Sequence, residues 1–208
     1  MSVSNSARDA GKQETREALV AAALAEFGER GLDTPSLDAI CARAGYTRGA
    51  FYVHFRDRDD LVVAAMERVL GAFLDAVIGR GDVAADLEQA VTRFAGLLRA
   101  TAASPRARRR RGAPTPLTPV PLHRLLEACL RSHAVGEKFV LLLEEAIERL
   151  AKTTLASQTA GRVRADLDPA ALATILLSLA LGVLIALEAG LPIDVDSARR
   201  TVVSLFTR

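Results

Sequence analysis

The segment Pro169 to Leu187, PAALATILLSLALGVLIAL, carries no charged side chain, and nothing else in the chain constrains the fold as strongly. Its length is near the minimum of ~20 apolar residues for a helix that crosses a bilayer. A helix buried in a large helical assembly reads the same way, because it too is apolar all round. The flanks favour burial in protein. Asp166 and Asp168 precede the segment, Glu188 and Asp194 follow it, and neither end has the Lys/Arg cluster that marks a membrane span. No stretch shows strand-like alternation and there is no internal repeat. Ala, Leu, Val, Glu and Arg dominate while aromatics make up 4% of residues, which favours helix over sheet. The expected fold class is all-α, with about nine helices.

Half of the 208 residues are hydrophobic, ample for a core. The formal net charge of +2 does not single out a nucleic-acid binder. From Met1 to Asp60 there are eight Lys/Arg against ten Asp/Glu, so any DNA contact must come from local clustering. Cys41 and Cys129 are far apart without ligand spacing, which argues against a disulfide framework and for a reducing, cytoplasmic setting. The opening MSVSNSARDAGKQETRE has no apolar signal-peptide core, so export is not expected.

Residues 1–11 read as a polar, poorly ordered tail. The stretch ETREALVAAALAEFGERG then places Leu19, Ala22, Ala23 and Phe27 on one helical face, with Gly31 as a stop. Ser36 is an N-cap for LDAICARA, whose Leu37, Ile40, Cys41 and Ala44 face inward and which Gly45 ends. Thr47 caps RGAFYVHF, where Phe51 and Phe55 lie four apart on the core side. Asp57 with Asp60 opens a fourth helix in the manner of a capping box, running to about Ile78, where GRGD breaks it. A fifth covers about 83–102, and later helices about 122–132, 135–160, 169–190 and 194–207. Between them, residues 104–121 form a basic, proline-rich loop with the arginine run Arg106–Arg111, where proline density forbids regular structure.

Three short N-terminal helices with small residues and Gly45 at the second junction match a helix-turn-helix. Gly45 permits the sharp turn, small Cys41 and Ala44 allow close approach, and Phe51 and Phe55 anchor the third helix so that its other face can meet a groove. That face holds Thr47, Arg48, Ala50, Tyr52 and His54. Thr47 can hold a phosphate at the helix start, and Arg48 can donate a bidentate pair to guanine. Tyr52 and His54 can reach phosphate oxygens or a thymine methyl, and Gly49 lets the backbone come close.

Taken together, FGERG…PSLDAICARAGYTRGAFYVHFRDRDDL resembles the DNA-binding domain of the tetracycline-repressor-like (TetR) family of transcriptional regulators. The resemblance covers about Thr15 to Leu61, under a quarter of the chain. It implies an N-terminal DNA-binding domain over 12–57 and a helical effector-binding and dimerisation domain over 58–208, in a homodimer that a small effector releases from operator DNA. By position, Thr47, Tyr52 and His54 would contact backbone and bases and Arg48 would read a base. Arg58 stands where the family usually has a phosphate-binding lysine, and Thr15, Ser36, Gly49 and Ala50 complete the DNA-binding set. Asp38 and Ala39 depart from the family's usual basic and acidic residues, and Tyr46 replaces a small aliphatic one.

For the effector pocket the candidates are Phe73, Val77, Phe94, Leu97, Leu98, Leu126, Phe139, Leu143 and Ile147, all from the fourth to eighth helices and all also suited to a core. Their aliphatic character suggests an apolar, elongated ligand; Glu144, Glu145 and Glu148 better fit a solvated face than a site for a cation. In 169–190, Thr174, Ser178, Gly182 and Ala186 form a stripe of small residues beside Ile175 and Leu179. With Val202, Leu205 and Phe206 of the last helix they are the candidate dimer interface, forming a four-helix contact. If the fourth and fifth helices, each roughly 30 Å long, run antiparallel, the arginine loop lies near the DNA-facing end and adds phosphate attraction. His123, Glu127, Cys129 and His133 lack a spaced ligand set, so neither a metal nor a cofactor is expected. No nucleophile or acid/base pair is assembled, which argues against an enzyme. The alternatives to a regulator are a soluble helical ligand-binding protein or a protein associated with membrane through 169–187, neither with a DNA role.

Overall fold

The computed structural model of the chain describes residues 3–79, 86–102 and 120–207. Among them are nine helices and no strand: α1 (Val3–Arg30), α2 (Leu37–Ala44), α3 (Arg48–His54), α4 (Arg58–Ile78), α5 (Leu87–Ala102), α6 (Leu122–Arg131), α7 (His133–Thr159), α8 (Pro169–Glu188) and α9 (Val195–Phe206). The arginine run Arg106–Arg111, and the proline-rich loop as far as residue 119, lie outside the described residues. The chain divides into two compact units, Met1–Val69 with Pro119–Val140, and Leu70–Thr118 with Leu141–Arg208. The division falls inside α4, and α6 and the start of α7 are in the first unit.

In the first unit, α1 begins at Val3 rather than after a tail. This polar start contains no proline, and its Gly11 is carried within the helix, where Gln13 donates to the Glu17 carboxylate one turn on at 3.0 Å. Leu19, Ala23 and Phe27 are buried on one side of α1, and Ile40, Cys41, Phe51 and Phe55 are buried in α2, α3 and the residue after it. Phe51 and Phe55 stack at 5.4 Å between ring centroids. Leu24, Phe27, Val62, Met66 and Leu125 surround one small void of about 10 Å³, so α6 closes the core formed by α1 and α4. Ion pairs also tie these helices, one of them through the buried Glu26 carboxylate. Arg43 of α2 reaches Glu26 at 2.7 Å and Glu29 at 2.6 Å on α1, and Arg68 of α4 reaches Glu17 at 2.9 Å.

The second unit has its own core of Leu74, Val77, Ile78, Leu87, Ala90, Ala146, Leu150, Val163, Ala173 and Phe206. Polar contacts fix its helices. The first amide of α5, at Leu87, donates to the buried Ser157 hydroxyl of α7 at 3.0 Å, a cap supplied from another helix. Arg149 of α7 bonds Asp75 at 2.9 Å and the Gly79 carbonyl at 2.8 Å, closing the end of α4. Asp168 caps α8 through the Ala171 amide at 2.7 Å, and Pro169 occupies its first turn.

Helix α8 is long and apolar enough to cross a membrane by length and composition, with a mean hydropathy of 2.6 over its most apolar window. Only 6% of that window is buried within the chain. Thr174, Ile175, Ser178, Leu179 and Gly182 are exposed, and Ala186 is half-buried. Phe206 is different. It is fully buried in the unit's own core, so its side chain cannot also face a partner, whereas its neighbour Leu205 is 65% exposed.

Candidate nucleic-acid interface and ligand cavity

Local chemistry builds the turn between α2 and α3. Ser36 accepts the Ala39 amide at 3.1 Å and starts α2. Gly45 sits at φ 77, in the left-handed region that disfavours a side chain, and ends it. Its amide donates to Ala42 at 3.1 Å while Tyr46 donates to Cys41 at 2.9 Å, the paired bonds of a Schellman stop. Thr47 then accepts the Ala50 amide at 3.2 Å, starting α3 within two residues. The Thr47 hydroxyl oxygen is used as an acceptor, which leaves its proton to donate outward.

Phe51 and Phe55 point into the first unit, so the rest of α3 is outside. Thr47, Arg48, Gly49 and Tyr52 are exposed, and Ala50 and His54 are half-buried on the flanks. Val53 is 68% exposed, more than Tyr52 at 54%. It is an exposed methyl-bearing side chain on the reading helix that sequence reasoning missed. Its position, two residues from both buried phenylalanines, is the signal that could have revealed it.

Asp38 lies on the same exposed surface as Arg48. Its carboxylate is 3.5 Å from Nε of Arg48, and both side chains are more than half exposed. The Tyr52 hydroxyl, and then the Asp38 carboxylate, hold the Arg48 guanidinium above its ordinary pKa. Arg48 therefore stays charged between two partners on the exposed surface. Beneath it, burial pushes the Cys41 thiol up, so that side chain is a protonated packing element.

Two expected contacts are placed differently. Arg58 turns inward: its guanidinium donates to the carbonyls of Leu32 and Pro35 and lies 5.6 Å from the centre of the Phe27 ring. Two of its five N–H donors hold the loop between α1 and α2, a structural role that the sequence did not suggest. Thr15 is half-buried and its hydroxyl donates to the Gly11 carbonyl at 3.0 Å.

The second unit contains a cavity of about 480 Å³. Residues of α4, α5, α7, α8 and α9 line it, among them Val77, Phe94 and Leu98 of the expected set. Phe73, Leu97 and Ile147 pack beside it against the core. Leu126, Phe139 and Leu143 do not line it. Leu126 and Phe139 belong to the first unit, Phe139 buried there, and Leu143 is half-buried on α7 away from the lining. The missed walls are α8 and α9: Leu176, Ala180 and Val183 face the cavity, as do Leu179 and Val202, two candidates for the dimer interface. Sequence could not separate these roles because α8 is apolar on every side. Glu145 and Glu148 pair instead with Arg149 and Lys152 and take no part in the lining. Among the described residues no group of His, Cys, Asp and Glu could hold a metal ion.

Residues 19–65 match the family described as bacterial regulatory proteins, tetR family. Over 49 residues the chain is 47% identical to the HTH-type transcriptional regulator AcrR of Shigella flexneri, covering 24% of this chain and 23% of AcrR. The sequence match to that curated relative thus spans about a quarter of its length. Solved structures extend the likeness to the whole fold. The reduced form of Escherichia coli NemR superposes with a TM-score of 0.71 at 17% identity over 93% of this chain and 97% of NemR. The SmeT–triclosan complex does so with a TM-score of 0.66 at 24% identity over 93% and 92%.

Proposed function

We propose that this chain, which belongs to the TetR family of bacterial regulatory proteins, is a DNA-binding transcriptional repressor, released from its operator by a small apolar effector. The observation that carries this reading is the outward face of α3, where Thr47, Arg48, Gly49, Tyr52 and Val53 are exposed above the Phe51–Phe55 anchor. Arg48 reads a guanine edge, the Thr47 and Tyr52 hydroxyls hold phosphates, and Val53 meets a thymine methyl. His54 contributes from the flank. Such a regulator works in the cytoplasm, where its DNA is, and needs no catalytic group.

The chain acts as a homodimer, since a two-fold operator calls for a two-fold protein. The exposed side of α8, with Thr174, Ile175, Ser178 and Gly182, and Leu205 of α9 are the surface we assign to that contact. The exposure of so apolar a helix also suits a membrane, and a protein held there by α8 would sediment with membranes unless detergent is added. The acidic flanks Asp166, Asp168 and Glu188 favour a second copy of the chain.

The effector occupies the cavity of the second unit. SmeT was solved with triclosan, a precedent for a small ligand in this fold. An effector shifts the population only by binding the DNA-incompetent arrangement more tightly than the competent one. Helix α4 supplies residues to both units and is the covalent element through which we expect the shift to pass.

Gel shift on the DNA flanking the protein's own gene tests the reading, with wild type beside Arg48→Ala and Tyr52→Ala. Wild-type binding that both substitutions weaken by about tenfold or more is expected. Binding that neither substitution changes would move the interface off α3.

A further inference from the structure

The lining of the cavity is lopsided in a way that defines its ligand. Nearly every residue around it is aliphatic, with Phe94 the one aromatic. The three polar residues, Ser197, Arg199 and Thr201, all come from one helix, α9. Among the described residues no carboxylate lines it. The walls from α4, α5 and α8 therefore offer a ligand no side-chain hydrogen-bond partner, and a polar or charged group buried against them would lose its water for nothing. Any such group must lie at the α9 side.

Among the described residues Arg199 is the single charged one in that lining. Its Nη1 donates to the neutral Thr92 hydroxyl at 3.5 Å, a long contact that a better acceptor would displace. Several other arginines of the second unit are committed to carboxylates, Arg99 to Asp196 at 2.5 Å, Arg149 to Asp75 at 2.9 Å and Arg162 to Asp86 at 3.2 Å, and Arg93, which bonds the Val77 carbonyl and the Gln89 side chain, does not line the cavity. Among the described residues Arg199 has no such pairing. The second unit thus sets an apolar cavity beside a guanidinium held only by a weak neutral contact.

We propose that the ligand of this cavity is an amphiphilic anion, with an aliphatic body against α4, α5 and α8 and a single carboxylate paired with Arg199. The aliphatic walls select a flexible or alicyclic body over a stacked planar one. The lack of a lining carboxylate selects against a cationic head. The proposal rests on the regulator reading only in calling this ligand an effector; binding itself involves no DNA.

Titration calorimetry on the full chain without DNA, using dodecanoate, dodecanol and dodecyltrimethylammonium below their micelle concentrations, tests it. Dodecanoate should bind about tenfold more tightly than either other compound, the value of one charge-assisted contact. Arg199→Gln should bring dodecanoate down to the level of dodecanol and leave dodecanol unchanged, while Arg199→Lys keeps most of the preference. Equal binding of the three heads, a preference for the cation, no binding of any chain, or an Arg199→Gln protein that still prefers dodecanoate would each overturn it. Adding dodecanoate to a gel shift then asks separately whether binding releases DNA, so failure of the regulator reading is distinguishable from failure of the ligand assignment.

Discussion

Replacing Arg58 with lysine separates two roles that the same charge could serve. A phosphate contact needs only a cation near the DNA, and lysine supplies it. The geometry calls for something else, because the guanidinium spans two carbonyls, Leu32 and Pro35, with its two Nη atoms and covers the Phe27 ring. A lysine ammonium is a point charge without the planar fork, and it cannot hold both carbonyls in the arginine geometry. A hydrogen bond to a charged group is worth about 1.5–3 kcal/mol, so Arg58→Lys should destabilise the first unit by about 2 kcal/mol and Arg58→Met, which loses both, by about 4 kcal/mol. For a chain of this size 1 kcal/mol moves the midpoint by about 2–4 °C, so thermal unfolding followed by circular dichroism should show Arg58→Lys falling by about 4–8 °C. The salt dependence of DNA binding at a temperature where all three proteins are folded supplies the second readout. It should be unchanged in Arg58→Met. If both variants instead melt with the wild type and Arg58→Met lowers the slope of log K against log salt by about 0.9, one phosphate contact has been lost and the clamp argument is wrong.

The paired carboxylate on the reading surface and the end of α9 supply the other tests. Asp38→Asn removes the negative group 3.5 Å from Arg48, so binding to random duplex DNA should tighten and grow more salt-dependent, while preference for a selected operator falls. Unchanged discrimination in a competition assay would mean that Asp38 has no part in reading. Phe206→Ala empties a fully buried position and should cost about 3–5 kcal/mol in unfolding, whatever the protein concentration. Leu205→Glu, at an exposed position, should leave the melting of the monomer alone and shift sedimentation from dimer to monomer; a dimer that survives it would move the interface off this end of α9.

Much of the first unit could be read from the chain alone. The positions of Ser36, Gly45 and Thr47 mark helix ends because their local chemistry is short-range, and the structure uses all three as caps or stops. Phe51 and Phe55 reveal the buried side of α3 through helical periodicity, so its outward side follows by subtraction. Arg58 shows where this logic ends. Its position beside a DNA-binding motif suggested a phosphate, but the carbonyls of Leu32 and Pro35 come within its reach only once α1, the loop and α4 have packed together.

The second unit was less legible, for a physical reason. Periodicity distinguishes the faces of a helix only when those faces differ in polarity, and α8 is apolar all round. Its sequence therefore specified a helix, but not which side would be covered by its own chain, border a cavity or remain exposed. Packing made those assignments: Ala173 inward, Leu176 and Val183 to the cavity, Thr174 and Ile175 to the outside. The same holds one helix later, where neighbouring Leu205 and Phe206 look alike as hydrophobic residues and end on opposite sides of the surface. Local caps and two-faced helices are written in neighbouring residues, whereas the choice among equivalent apolar faces depends on what the distant parts of the chain bring against them.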